Sequence, residues 1–188
     1  NISSTEVAQQ MNITEVMNKM LQPDTISLLK EISATAANIG MRTYLVGGTI
    51  RDLFLEKEVL DVDLVVEGDA KKLANECAQS LGGTVKGQSQ FRTSKIEVRK
   101  HVIDIATARS ETYTRPGALP KITPGNIDND LLRRDFTINS MAVDLSRESW
   151  GNLRDPSLGI RDLNLRIIRV LHTDSFRDDA TRIIRAIR

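Results

Sequence analysis

The chain has one cysteine, Cys77, and only two histidines, His101 and His172, in 188 residues. That excludes an internal disulfide and any multi-cysteine zinc site, and it leaves too few imidazoles for a His/Cys metal cluster. A reducing, cytoplasmic setting is the expectation. Long hydrophobic runs are missing as well: no stretch of about 18 apolar residues occurs, and the start lacks the basic-then-apolar layout of a secretory leader. No membrane partner is expected. There is no internal repeat and no low-complexity segment. With 40% hydrophobic and 27% charged residues, the chain has the balance of a globular protein with one good core, or one core and a small appendage.

A net charge of +1 hides an asymmetry. Residues 1–85 carry 7 Lys and Arg against 12 Asp and Glu, whereas residues 86–188 carry 19 against 13. The second half is rich in arginine, whose planar fork suits phosphate and base edges, although a solvated arginine surface is the plainer reading.

Periodicity supplies the elements. Residues 1–22 read as a polar arm, or as the end of an upstream region. Pro23 then opens an amphipathic helix with Ile26, Leu29, Ile32, Ala36 and Ile39 on one side and Gly40 as its stop. Thr43–Val46 reads as a strand, Gly47-Gly48 as a turn and Ile50–Leu55 as a short helix. Val62–Val66 is a second strand, apolar enough to be buried on both faces. Asp69–Leu81 is a helix whose apolar stripe includes Cys77, a packed thiol rather than a nucleophile. Thr84–Lys86, Phe91–Arg99 and Val102–Thr107 alternate like antiparallel strands. Residues 110–127 hold three prolines and two glycines and read as a long loop. Beyond it, Asp130–Arg134 reads as a helical turn, Phe136–Leu145 as a strand, Arg161–Arg169 as a helix-to-strand passage and Phe176–Arg188 as a strong helix.

The chemistry concentrates in Leu60-Asp61-Val62-Asp63-Leu64-Val65-Val66. Carboxylates at i and i+2 on a strand share a face and can share a divalent cation; left in an apolar strand uncompensated, they cost several kcal/mol. A strand end reaching solvent is the bland alternative. Just upstream, Val46-Gly47-Gly48-Thr49-Ile50-Arg51-Asp52 turns into a helix whose exposed N–H groups can receive phosphate. Together the two strings suggest metal-dependent phosphoryl or nucleotidyl transfer. Asp104 also interrupts an apolar strand and is the candidate third carboxylate; otherwise it is a strand-end acid paired with an arginine such as Arg109. Arg51 either pairs with Asp52 on the helix surface or reaches a triphosphate. Asp179, Arg182, Arg185 and Arg188 recur every third residue. They form either a solvated ion-pair ladder or a ridge that offers acceptors and a donor fork to the edge of a base.

Taken in order, these strings resemble those of the class II tRNA nucleotidyltransferases (CCA-adding and A-adding enzymes) and the bacterial poly(A) polymerases, of the DNA polymerase β-like superfamily. The likeness runs from about residue 43 to 188, through Tyr44–Asp52, Asp61–Val66, Arg109–Tyr113, Asp130–Ala142, Asp155-Pro156 and Phe176–Arg188. It implies an α+β head, a small mixed and largely antiparallel sheet flanked by helices, over residues 23–157, and the start of a helical neck over 158–188. It implies catalytic Mg²⁺ on Asp61 and Asp63, phosphate contacts from Gly48 and Arg51, and further nucleotide contacts from Gly47 and Arg134. By the same likeness, Asp179 and Arg182 read ATP or CTP by the Watson–Crick edge, with Arg185 and Arg188 completing the nucleotide site. The reaction implied is addition of A, or of CCA, to a tRNA 3′-hydroxyl with release of pyrophosphate. A poly(A) polymerase acting on other RNA ends and a non-catalytic RNA-binding module are the alternatives. One departure stands out: the family commonly has Glu-Asp-Pro before the base-reading arginine, and here Asp178-Asp179-Ala180 precedes Thr181-Arg182. Val65–Asp69 and Val170-Leu171-His172 look closest to long bacterial members, many of which add only A.

Overall fold

The computed structural model describes residues 11–59, 61–89, 93–115 and 117–187. The elements run α1 (Thr14–Met20), α2 (Pro23–Asn38), β1 (Arg42–Val46), α3 (Gly48–Phe54), β2 (Val62–Glu67), α4 (Ala70–Leu81), β3 (Thr84–Gln88), β4 (Thr93–Val98), β5 (His101–Thr107), β6 (Arg109–Thr112), β7 (Lys121–Pro124), α5 (Ile127–Leu132), β8 (Ala142–Asp144), β9 (Leu153–Arg154), α6 (Gly159–Asn164), α7 (Ser175–Asp178) and α8 (Thr181–Ile187). Among the described residues no helix is long and apolar enough to cross a membrane.

Seven strands form one sheet in the order β3-β4-β5-β2-β1-β8-β9. Every pairing in it is antiparallel except β2 with β5. The fold is therefore the mixed, largely antiparallel α+β architecture expected. The two faces of the sheet are filled unequally. Leu45, Leu64, Val66, Ile96, Ile103 and Ile105 pack with Met17, Leu28, Leu29, Ile32, Leu53, Leu73 and Cys77 in one large core. The alternate residues Tyr44, Val46, Val65 and Ala142 form a smaller cluster with Ala106, Ala108 and the α5 residues Ile127 and Leu131. The second face is thus thinly covered, and it is the face toward which Asp63 and Asp104 alternate.

Residues 11–21 join the large core. Ile13, Met17 and Leu21 are buried, and Asn12 Nδ2 donates to the Trp150 carbonyl and to Asn152 Oδ1, both at 2.8 Å. Ser33, buried on α2, donates to the Leu145 carbonyl at 2.6 Å and ties the helix to the end of β8. Burial pushes the Cys77 thiol up to about 12, consistent with a packing role.

Three local expectations are corrected. The supposed loop over 110–127 contains the hairpin β6–β7, with Arg109 opposite Pro124 and Thr112 opposite Lys121. Pro124 stands at the end of β7 and Pro120 between the two strands, where no ladder N–H is lost. Phe136–Leu145 is not one strand: Thr137–Asn139 is a turn of 3₁₀ helix, and only Ala142–Asp144 is extended. Its polar side chains bond locally instead, Asp135 accepting from Phe136 N at 2.8 Å and Ser140 Oγ donating to the Leu131 carbonyl at 2.8 Å. The last helix is two pieces, because Asp179 is extended (φ −141°, ψ 99°). Its carboxylate accepts from Thr181 N and Oγ1 at 2.9 and 2.6 Å, starting α8 afresh. Arg188 lies outside the described residues, as do Leu60 and the start of the expected Phe91–Arg99 strand.

If α1 is part of this core, Met17→Ala will cost about 2–5 kcal/mol, whereas Met11→Ala, at an exposed site, will cost less than about 0.5 kcal/mol. Urea unfolding of both variants measures the difference.

Candidate active site

The site is assembled from three strand ends and two turns. Residue pairing sets Asp63 directly beside Asp104 in the parallel β2–β5 ladder, and partners in a ladder project to the same face. Asp61 lies exposed just before β2. Its carbonyl accepts from Thr49 Oγ1 at 3.1 Å, which fastens the start of α3, and with it the Gly47-Gly48 turn, to the acidic pair. The glycine turn and the carboxylates predicted from sequence therefore do come together.

Three acids near one another strain their own ionisation. The Asp63 carboxyl is pushed above the ordinary aspartate range, first by burial and then by the neighbouring Asp104 and Asp61, with Arg134 acting against them. Asp104 is paired, but with Lys95 across the β4–β5 ladder at 3.0 Å rather than with Arg109. Lys95 is held protonated above its usual range by the hydrogen bond and charge of Asp104. Among the described residues no three metal-type side chains converge into a ready-made cation cage. The donor set nevertheless fits a hard divalent ion: Asp61 and Asp63 supply carboxylate oxygens, and their mutual repulsion is what such an ion relieves.

The turn needs its glycines. Gly47 has φ +69°, and a Cβ there would stand 2.7 Å from Arg134 Nη1; a Cβ on Gly48 would face Arg51 Nη2 at 3.3 Å. Both arginines thus lie over the turn. Arg51 makes the ion pair with Asp52 at 2.9 and 3.0 Å, and its third nitrogen donates to Asn139 Oδ1 at 2.9 Å. Asn139 donates in turn to Asp135 at 3.1 Å, and Asp135 pairs with Arg185 at 3.1 Å. A continuous polar chain links the turn to the last helix.

Beside it lies a polar cavity of about 310 Å³, lined by Arg109, Glu111, Tyr113, Arg133, Arg134, Asp135, Asp179, Arg182 and Arg185. Arg182 is 3% exposed. It donates through Nη1 to Ser175 Oγ at 2.5 Å and through Nη2 to the Arg133 carbonyl at 3.0 Å, while its buried Nε makes no hydrogen bond and lies 3.9 Å from Asp179 Oδ2. The Asp179 carboxyl is held below its ordinary range: desolvation works against this, but the bonds from Thr181 and the charges of Arg185 and Arg182 prevail.

Sequence reasoning missed several members. Glu111, almost buried, gathers Arg109 at 2.8 Å, Arg133 at 3.2 Å and the Tyr113 hydroxyl at 3.1 Å. Asp130, fully buried, holds Arg133 and Arg134. Both acids sit in motif strings that were visible, but nothing in those strings said that the acids point inward.

Residues 43–169 match the family model for the poly A polymerase head domain. The chain belongs to that family. It is 50% identical over 148 residues to an A-adding tRNA nucleotidyltransferase of Aquifex aeolicus, covering 79% of this chain and 18% of the relative. With the A-adding tRNA nucleotidyltransferase of Halalkalibacterium halodurans it shares 44% over 178 residues, 94% of this chain and 42% of the relative. In three dimensions it matches the Thermotoga maritima CCA-adding enzyme complexed with tRNA at a TM-score of 0.81 and 38% identity, over 94% of this chain and 40% of that one. The chain thus spans less than half the length of each.

A carboxyl with a raised pKa destabilises the fold once it ionises. That cost is absent below the ordinary aspartate range and develops as pH rises through the raised value. In metal-free buffer Asp63→Asn will therefore raise the melting temperature at neutral pH, and the gain will shrink as pH falls toward the carboxylate range. Melting curves across that window, with and without chelator, check the sign.

Proposed function

We propose that this chain is the catalytic head of a tRNA 3′-end nucleotidyltransferase that adds A, or CCA, from ATP and CTP with release of pyrophosphate. The observation that carries the reading is the Asp63–Asp104 register beside Asp61, fastened to a glycine turn with two arginines over it, in a chain of this family. Residues 23–157 are read as the head, with α1 packed on it, and 158–188 as the start of a neck. The names of the two bacterial relatives favour A addition, and the single buried cysteine suits a cytoplasmic enzyme.

In this reading Asp61 and Asp63 hold Mg²⁺, with Asp104 alongside. Bound there, the ion supplies charge neutralisation and lowers the pKa of the attacking 3′-hydroxyl. The chain's own work is positioning. The Gly47-Gly48 turn, bare of side chains and with Gly47 at φ +69°, admits the triphosphate close to the backbone beneath Arg134 and Arg51. Arg134 and Arg51 neutralise the phosphates. Asp179 offers acceptors, and Arg182 its Nε–H, free of any hydrogen bond, to the edge of the base, with Arg185 bracing Asp179 at 3.2 Å. Arg188 is assigned to nucleotide binding by motif position alone.

The full-length protein should extend a tRNA lacking its 3′ end with ATP, CTP or both, and should use an unstructured RNA far less. Asp61→Ala, Asp63→Ala or excess chelator should each reduce incorporation to background, and sequencing of the products shows which nucleotides are added. Equal use of the two RNAs would favour the poly(A) polymerase reading; full activity of Asp61→Ala would remove the metal assignment.

A further inference from the structure

Asp130 lies outside the cavity, yet two of the cavity's arginines rest on it. Its side chain is 0% exposed. Arg133 donates to Oδ1 through Nε at 3.0 Å and Nη2 at 2.6 Å. Arg134 donates to Oδ2 through Nε at 3.3 Å and Nη2 at 2.9 Å. Each guanidinium therefore meets one carboxylate oxygen through its side edge, a two-point contact that fixes the plane of the fork.

What remains free on each arginine is its Nη1, and the two point apart. Arg133 Nη1 goes to Glu111, and the Arg133 carbonyl receives Arg182 Nη2 from α8. Arg134 Nη1 goes to the Gly47 turn and the Asn139 carbonyl, at 3.4 Å from the latter. One buried carboxylate thus fixes two arginines, one reaching on to Glu111 and the other standing over the Gly47 turn. Consecutive like charges do not hold such an arrangement unaided; with Asp130 neutral they would repel into solvent.

We propose that Asp130 is a positioning residue for the nucleotide site. It orients Arg134 toward the triphosphate. This rests on the nucleotidyltransferase reading above. It adds that triphosphate affinity depends on a buried anchor that does not itself touch the phosphates.

Equilibrium binding of ATP and of AMP to the full chain, with nucleotide addition measured in parallel, tests it. D130N should weaken ATP about tenfold, the loss expected when a charge-assisted hydrogen bond is misaligned, while AMP, which lacks the outer phosphates, changes little. The D130N/R134Q double variant should bind ATP no worse than R134Q alone, because the acid acts through that arginine. R134K, which keeps the charge, leaves Asp130 intact and lacks the fork, should lose ATP affinity about as D130N does; this comparison decides the matter should D130N fail to fold. Wild-type ATP affinity in D130N or R134K would overturn the proposal, as would penalties that multiply in the double variant. A wild-type protein that binds ATP but extends no RNA would overturn the reaction assigned above and leave these binding comparisons to stand on their own.

Discussion

The constraint on which this molecule turns is the in-register parallel pairing of β2 with β5. It forces Asp63 and Asp104 side by side on one face of a sheet, where ionised carboxylates raise each other's energy. Much of the surrounding structure answers that placement. Lys95 arrives from the next strand, Arg134 leans in from beyond α5, and the sheet leaves this face thinly packed so that the acids reach solvent. The opposite face carries the stabilising burden, with α1, α2, α3 and α4 closed over it. Stability and chemistry are thus separated by the period-two alternation of the same strands.

The polar half of the site is organised by three inward-facing acids, Glu111, Asp130 and Asp162. Asp162 accepts from Thr137 at 2.7 Å and from Arg169 at 2.8 and 3.1 Å, pinning the 3₁₀ turn that carries Asn139. Each acid binds more than one donor, so the arginines about the cavity are held at fixed angles rather than left as a diffuse positive surface.

How much of this could be read from the residues varied with the range of the interactions. The large core, the sheet strands and the apolar stripe of α4 followed from periodicity, because burial imposes that pattern locally. The glycine turn and Asp61–Asp63 stood out because each breaks a local rule: two glycines where a helix begins, and charge inside an apolar strand. The hairpin over 109–124 was hidden by its prolines, which mark turns in sequence whether or not strands flank them. The break at Asp179 was hidden because an Asp–Arg series at helical spacing looks continuous until the aspartate's own side chain captures Thr181. Inward-facing Glu111 and Asp130 had no sequence signature, since their partners are set by topology.

The parallel pair also has a temporal meaning. Between Asp63 and Asp104 the chain must lay down α4, β3 and β4, a closure of about 40 residues that costs loop entropy before any contact repays it. Antiparallel neighbours such as β4 and β5, joined by a tight turn, face no such delay. On loop entropy alone the acidic pair is expected to form after the β4–β5 hairpin, and a molecule lacking the β2–β5 pairing has the arginines and glycines without the juxtaposed carboxylates. The juxtaposed carboxylates are, in effect, a certificate of completed topology.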